Sequence, residues 1–298
     1  MSLSRHLQTS GLFDTIAGMS SENLREVVLE IGRSWYNDHP DEREVIADNL
    51  RRFNLDSSPE AVDLVQHHTI LHYFEKFLPL SGSIATYADF LHTAIDAGHA
   101  VEQLRQSISR EHGICIALSH FGAVEFITPF LASHHFPVNT VLKFSTETFS
   151  AAAHERSAAL RESGLFSYVN LVEIGKPKTM AAMEMAAVLR RREILMSVFD
   201  EKTPYSKPAE LFGTSVWGGA GLDRMIAFAN TPVDLYSAFM VRGDDGRYRF
   251  ELYAISDQEP DQIAALYRIL ESVVREHPHQ WYFLHEELPF ISEPAENR

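Results

Sequence analysis

The chain has 298 residues, 45% of them hydrophobic and 22% charged, a length and balance suited to a soluble globular protein with a substantial core in one domain or two. A formal net charge of −15 argues against a general nucleic-acid binder and against recruitment to anionic lipid by charge alone. The single cysteine, Cys115, excludes an intramolecular disulfide and a thiolate metal cage within one chain, and the simplest compartment for it is a reducing one.

The first thirty residues carry His6, Asp14, Glu22, Glu26 and Glu30, and show neither a secretory leader nor an apolar run long enough to span a bilayer. Helical periods follow. Ser20-Ser21-Glu22-Asn23 caps a stripe of Leu24, Val27, Val28 and Ile31, and Ile46, Asn49, Leu50 and Phe53 mark a second helix. Pro59 opens a third with Val62, Val65, Ile70 and Phe74, ended by Pro79 and Gly82, and Val101, Leu104 and Ile108 mark a fourth. No convincing strand interrupts them.

From Gly113 the period changes. Short apolar runs at 114–118, 138–144, 168–174, 194–199, 233–241 and 248–255 predict buried strands. Helical stretches at about 123–133, 146–163, 178–191, 219–230 and 261–276 alternate with them. Such alternation predicts an α/β fold with a mixed, largely parallel sheet covered by helices. Asp244-Asp245-Gly246 predicts an antiparallel hairpin between the last two strands. The expected organisation is a helical N-terminal region, 1–110, packed on an α/β core, 111–298.

Residues 114–125 read ICIALSHFGAVE, an apolar run broken by His120 and closed by Glu125. In α/β sheets, ligand sites collect where strands end and helices begin, which is where His120 falls. Gly122 permits a tight turn into the helix expected to carry Glu125. On one continuous helix, a separation of five residues would point the two side chains about 140° apart. With His120 in the preceding turn, the carboxylate can instead reach one imidazole nitrogen and fix the tautomer. The other nitrogen is then free to take a proton from a hydroxyl or amine. The helix N-terminus beside it offers N–H groups to an oxyanion. A buried histidine satisfied by a structural carboxylate fits the same spacing.

Ser119-His120-Phe121-Gly122-Ala123-Val124-Glu125 resembles the His-x4-Asp/Glu motif of the lysophospholipid acyltransferase superfamily. The similarity is greatest to the branch of bacterial lipid A lauroyl and myristoyl acyltransferases, where His-Phe-Gly-Asn-Trp-Glu is frequent. An early asparagine-leucine pair is similar to Asn49-Leu50, and a closing Pro-x-Gln-Trp/Tyr block to His277-Pro278-His279-Gln280-Trp281-Tyr282-Phe283-Leu284-His285, so residues 40–290 are comparable.

The resemblance implies that His120 is the general base and Glu125 its charge-relay partner. An acyl group would pass directly from a thioester of coenzyme A or an acyl carrier protein to the acceptor, with no other cofactor and no metal. It also implies substrate-binding roles for Gly122, Lys143, Arg156 and Asp200. Three positions depart from the pattern. Asp200 precedes Glu201 where glutamine is usual; Lys143, in Leu142-Lys143-Phe144, replaces an arginine and loses its planar fork. Glu286-Glu287 stands where paired arginines are common, and suits a lipid phosphate poorly.

Other features read more plainly. Gly213-Thr214-Ser215-Val216-Trp217 lacks a glycine of a nucleophile elbow, and Gly218-Gly219-Ala220-Gly221 lacks the lysine of a phosphate loop. In the resembling family the latter region lies near the acyl-chain pocket. Cys115 reads as inert core, and His67-His68 and His134-His135 as surface or helix-end residues. Arg190-Arg191-Arg192 suits a helix C-terminus, or docking of an acidic carrier protein.

The expected protein is a cytoplasmic acyltransferase of specialised-metabolite or lipid biosynthesis, whose acceptor is a small molecule, a carrier-bound intermediate or a lipid. One alternative is a lipid A or glycolipid acyltransferase peripheral to the inner membrane, touching lipid through a segment near Leu12, Phe13 and Ile16. A second is a protein that binds acyl chains or their carrier without turnover.

Overall fold

The computed structural model describes residues 2–143, 147–174, 178–219, 221–286, 288, 290 and 291. The chain opens with α1 (Leu3–Thr9) and α2 (Leu12–Thr15), then α3 (Ser21–Asp38), α4 (Asp41–Arg52) and α5 (Pro59–Phe77). Helices α3 and α5 start where the sequence supplies a cap. The Ser20 hydroxyl accepts from the Asn23 amide at 3.2 Å, and Ser58 accepts from Ala61 at 3.3 Å, just before Pro59. The α3 stripe of Leu24, Val28, Trp35 and Tyr36 is buried, and Gly32 lets α3 approach α5 closely. A Cβ at Gly32 would sit 2.6 Å from Ile70 Cγ1. Helix α5 buries residues all round, including Gln66, His72 and Glu75, so it runs through the interior rather than over it.

Helix α6 (Ile84–Ala94) leads directly into a strand the periodicity does not show, β1 (Ile95–Asp96), followed by α7 (Ala100–Ser109). The remaining elements are β2 (Gly113–Gly122), α8 (Ile127–Ser133), β3 (Val138–Leu142), α9 (Glu147–Glu162), β4 (Val169–Glu173), α10 (Lys178–Arg190) and β5 (Ile194–Val198). They are followed by β6 (Lys207–Leu211), β7 (Thr214–Gly218), α11 (Leu222–Ala229), β8 (Val233–Arg242), β9 (Tyr248–Ile255) and α12 (Gln262–Glu276).

The main sheet has the order β1-β9-β8-β2-β5-β3-β4. Its pairs are parallel except β8 with β9, the expected hairpin, so the fold is the mixed, largely parallel α/β sheet with a helical N-terminal region. Residues 113–119 of β2 are all buried, which is why that central strand reads as a continuous apolar run.

Four details differ from the sequence reading, each for a local reason. The β1 strand is short and pairs at the sheet edge, with Ile95 on Tyr248. Strands β6 and β7 form a separate hairpin around Gly213, which has φ +72°; Lys207-Pro208 and the polar alternation of β6 hide it. Helix α8 starts only at Ile127, because residues Val124–Phe126 form a 3-10 turn. The positive φ of Gly219 and Gly221 delays α11 to Leu222. Phe144 and Glu287 lie outside the described residues.

The two ends of the chain meet. The Asn49 side-chain amide of α4 donates to the Leu284 carbonyl at 3.1 Å and the Glu286 carbonyl at 2.8 Å. Trp281 is fully buried with Phe53 against its ring, centroids 5.1 Å apart, and bridges the backbone of Phe121 in β2.

Candidate active site

Strands β2 and β5 are parallel neighbours, with Leu118 paired to Val198. Carrying that register two residues further, still within β2 and just past the end of β5, sets His120 opposite Asp200. One carboxylate holds the histidine twice. Asp200 Oδ2 accepts from the His120 backbone N–H at 2.8 Å, and Asp200 Oδ1 lies 2.9 Å from His120 Nδ1. Asp200 is 1% exposed, so this bond is shielded from water, while the His120 side chain is 23% exposed. With Nδ1 donating to Asp200, the neutral ring presents Nε2 as an acceptor. The Phe283 ring lies against the imidazole, centroids 4.7 Å apart.

Glu201 Oε1 is 3.4 Å from His120 Nε2. Burial alone would lower the imidazole pKa, but the charge and hydrogen bond of Asp200, with Glu201 and Glu125 behind them, outweigh it and raise it to about 9. Glu286 is close enough to respond to His120, and burial pushes its carboxyl above the ordinary value despite that cation.

Glu125 sits elsewhere than the spacing suggests. Around His120 the β2–β8 register shifts between Leu118 and Gly122, Gly122 adopts φ +58°, and the Ala123 amide donates to the Met240 carbonyl at 2.8 Å. This fastening and the 3-10 turn aim Glu125 at α5, where its Oε1 is 3.7 Å from His72 Nε2. The ring nitrogens of His120 face Asp200 and Glu201 instead, so the direct His120–Glu125 contact is corrected to His120–Asp200. Glu125 still acts on His120 through its charge. Burial holds His72 well below the ordinary imidazole pKa, and its Nδ1 has no hydrogen-bond partner among the described residues.

Gly122 shapes the turn and leaves no room for a side chain, since a Cβ there would lie 2.1 Å from the Met240 carbonyl oxygen. Lys143 is exposed just past β3, at the same C-terminal end of the parallel strands as His120 and Asp200. Arg156, on α9, has Nε and Nη2 buried without hydrogen-bond partners among the described residues. Its guanidinium lies 5.8 Å from the Tyr87 ring centroid, and the Tyr87 hydroxyl, close enough to feel both Arg156 and Glu125, also has no hydrogen-bond partner among the described residues. Burial lowers the Arg156 pKa.

Residue types alone did not single out Glu201 as a contact of Nε2, or His72 as a neighbour of Glu125. The visible signal was Asp200-Glu201 at the end of a buried strand, which becomes informative only once that strand is paired with β2. Cys115 is fully buried and its thiol is pushed up to about 12 by burial, which makes it a poor nucleophile. The arginines at and after the end of α10 are engaged within the chain: Arg190 donates to the Ala229 carbonyl, Arg191 pairs with Glu193 and Arg192 with Glu111. Among the described residues no group of three His, Cys, Asp or Glu side chains is arranged to hold a metal ion.

The sequence model described as bacterial lipid A biosynthesis acyltransferase matches residues 84–288. That span is more than half of the chain and contains His120, Glu125, Arg156, Asp200 and the 277–285 block. No curated protein matches the chain. With an α/β sheet delivering a carboxylate-held histidine to its C-terminal end, and a match over most of its length, the chain belongs to the bacterial lipid A biosynthesis acyltransferase family and is an acyltransferase.

Proposed function

We propose that the protein moves an acyl group from a coenzyme A or acyl carrier protein thioester to a hydroxyl or amine, with His120 as the general base. The observation that carries this reading is the pair of hydrogen bonds that Asp200 accepts from the His120 backbone N–H and Nδ1, which fix the ring and leave Nε2 turned away from that carboxylate. Nε2 takes the proton as the acceptor oxygen or nitrogen attacks the thioester carbonyl. The tetrahedral intermediate then collapses, the carbon–sulfur bond breaks, and the thiolate leaves with the proton from Nε2. Asp200 steadies the imidazolium between the two transfers. Glu125 supports it by charge alone, as one of the groups that raise its pKa. Lys143 and the unpaired nitrogens of Arg156 are suited to anionic parts of the thioester donor.

Asp200, Glu201, Glu125 and Glu286 surround the base with negative charge. Phosphate beside the attacking atom would be repelled there, which favours an uncharged or cationic acceptor over a phosphorylated lipid headgroup. An enzyme that acylates a small, unphosphorylated acceptor fits this charge best. Among the described residues no helix is long and apolar enough to cross a membrane. The peripheral-membrane alternative has Phe13, 38% exposed, in its favour; Leu12 and Ile16 of the same segment are buried, at 2% and 5%.

The assay is thiol release from acyl-CoA and acyl carrier protein thioesters of several chain lengths, offered with phosphorylated and unphosphorylated acceptors. Acceptor-dependent release, faster with the unphosphorylated set, is the expected result. Tight thioester binding with no release for any acceptor would identify a binding protein and overturn the proposal.

A further inference from the structure

We infer that Arg242 and Glu75, neither of which reaches the reacting atoms, form a buried positioning pair that sets the turn carrying His120. Arg242 is the last residue of β8 and is 6% exposed, and Glu75, on α5, is fully buried. The guanidinium grips the carboxylate with both prongs, Nε to Oε1 at 2.6 Å and Nη2 to Oε2 at 2.8 Å. The same Nη2 donates to the Gly122 carbonyl at 2.8 Å. Gln280 holds the Arg242 backbone from the other side: its Oε1 accepts from the Arg242 N–H at 2.9 Å, and its Nε2 donates to the Arg242 carbonyl at 2.8 Å.

A single guanidinium therefore ties α5, the end of β8 and the turn after His120 together. Gln280 extends the tie to the segment that lays Phe283 on the imidazole. An ion pair this deeply buried is poor evidence for stability, because desolvation of both charges offsets their attraction. Its location is more informative. Gly122 needs φ +58° and touches the Met240 carbonyl, so the turn has a single tight course, and Arg242 supplies the donor for its carbonyl. If that donor is lost, the turn relaxes and His120 shifts against Asp200, the carboxylate that dominates its proton affinity among those facing it.

The inference rests on His120 being the base, and its test separates the two ideas. Arg242→Lys keeps the charge but cannot serve both Glu75 oxygens and the Gly122 carbonyl with the same geometry. In the full-length protein, the His120 imidazole is titrated by NMR through its ring nitrogens, a readout that needs no turnover, and kcat and KM for the thioester are measured alongside. The expected result is a His120 midpoint moved down from about 9 and kcat reduced ~10- to 100-fold, with KM for the donor little changed. Gln280→Asn, which shortens the clamp and keeps every charge, should move the same readouts in the same direction by less, and it carries the test if Arg242→Lys fails to fold.

A folded variant with the parent's His120 titration and kcat would show that the pair is scaffolding only and overturn the inference. A shifted titration without a matching loss of kcat would leave the positioning in place and count against His120 as the base.

Discussion

At the scale of single residues, the proposed chemistry depends on which carboxylate His120 faces. Asp200 is in contact with the ring and Glu125 is not, so the two should behave differently when neutralised. Asp200→Asn should lower kcat/KM by ~100-fold or more, because the amide no longer stabilises the imidazolium or holds the right tautomer. Glu125→Gln should cost clearly less, and equal losses in the same assay would restore Glu125 as the ring's partner. The raised imidazole pKa also fixes the sign of the pH response. Below about 9 the ring is mostly protonated and cannot accept a proton, so kcat/KM should climb with pH and level off above that value. A profile flat between pH 6 and pH 9 would argue against a base with this surrounding. Spacing and resemblance drew attention to His120 and Glu125 in the sequence. The Asp200 contact was not, because it arises from a strand register that brings together residues 80 positions apart.

Among the elements, β2, β5 and β8 were readable as apolar runs because buried strands need apolar side chains on both faces, whereas β9 buries only part of its length. Strands β1 and β6 were not, since one is two residues long and the other carries proline and charge. The interior helix α5 was found by its Pro59 start and Pro79 stop. Its burial of His72 and Glu75 was hidden, because what surrounds a helix is not written in its own period. The close approach of α3 to α5 gives a direct test. A methyl group at Gly32 would meet Ile70 at 2.6 Å, so Gly32→Ala should destabilise the fold by ~1–3 kcal/mol in chemical denaturation, with m unchanged. Unchanged stability would mean that the two helices separate freely and that α5 holds Glu75 less firmly than described.

Across the whole molecule, the α4 helix and the C-terminal segment close the structure around the site. The resemblance marked Asn49 and the 277–285 block as separate similarities, and the fold joins Asn49 to that block at Leu284 and to Glu286 just beyond it. Asn49→Ala removes both donors and leaves the Leu284 and Glu286 carbonyls without them. The expected loss is ~1–3 kcal/mol of stability in thermal or chemical unfolding. Activity should fall as well, since Phe283 is held on His120 by the same segment, and a variant as stable and active as the parent would show that this closure does not matter. The claim on which the rest depends is that His120 does the proton transfer. It is tested by acceptor-dependent thiol release from an acyl thioester, compared between the parent and a folded His120→Ala variant at saturating donor. A drop of ~100- to 10,000-fold in kcat with thioester binding retained is the expected result; a folded variant turning over at the parental rate would contradict it.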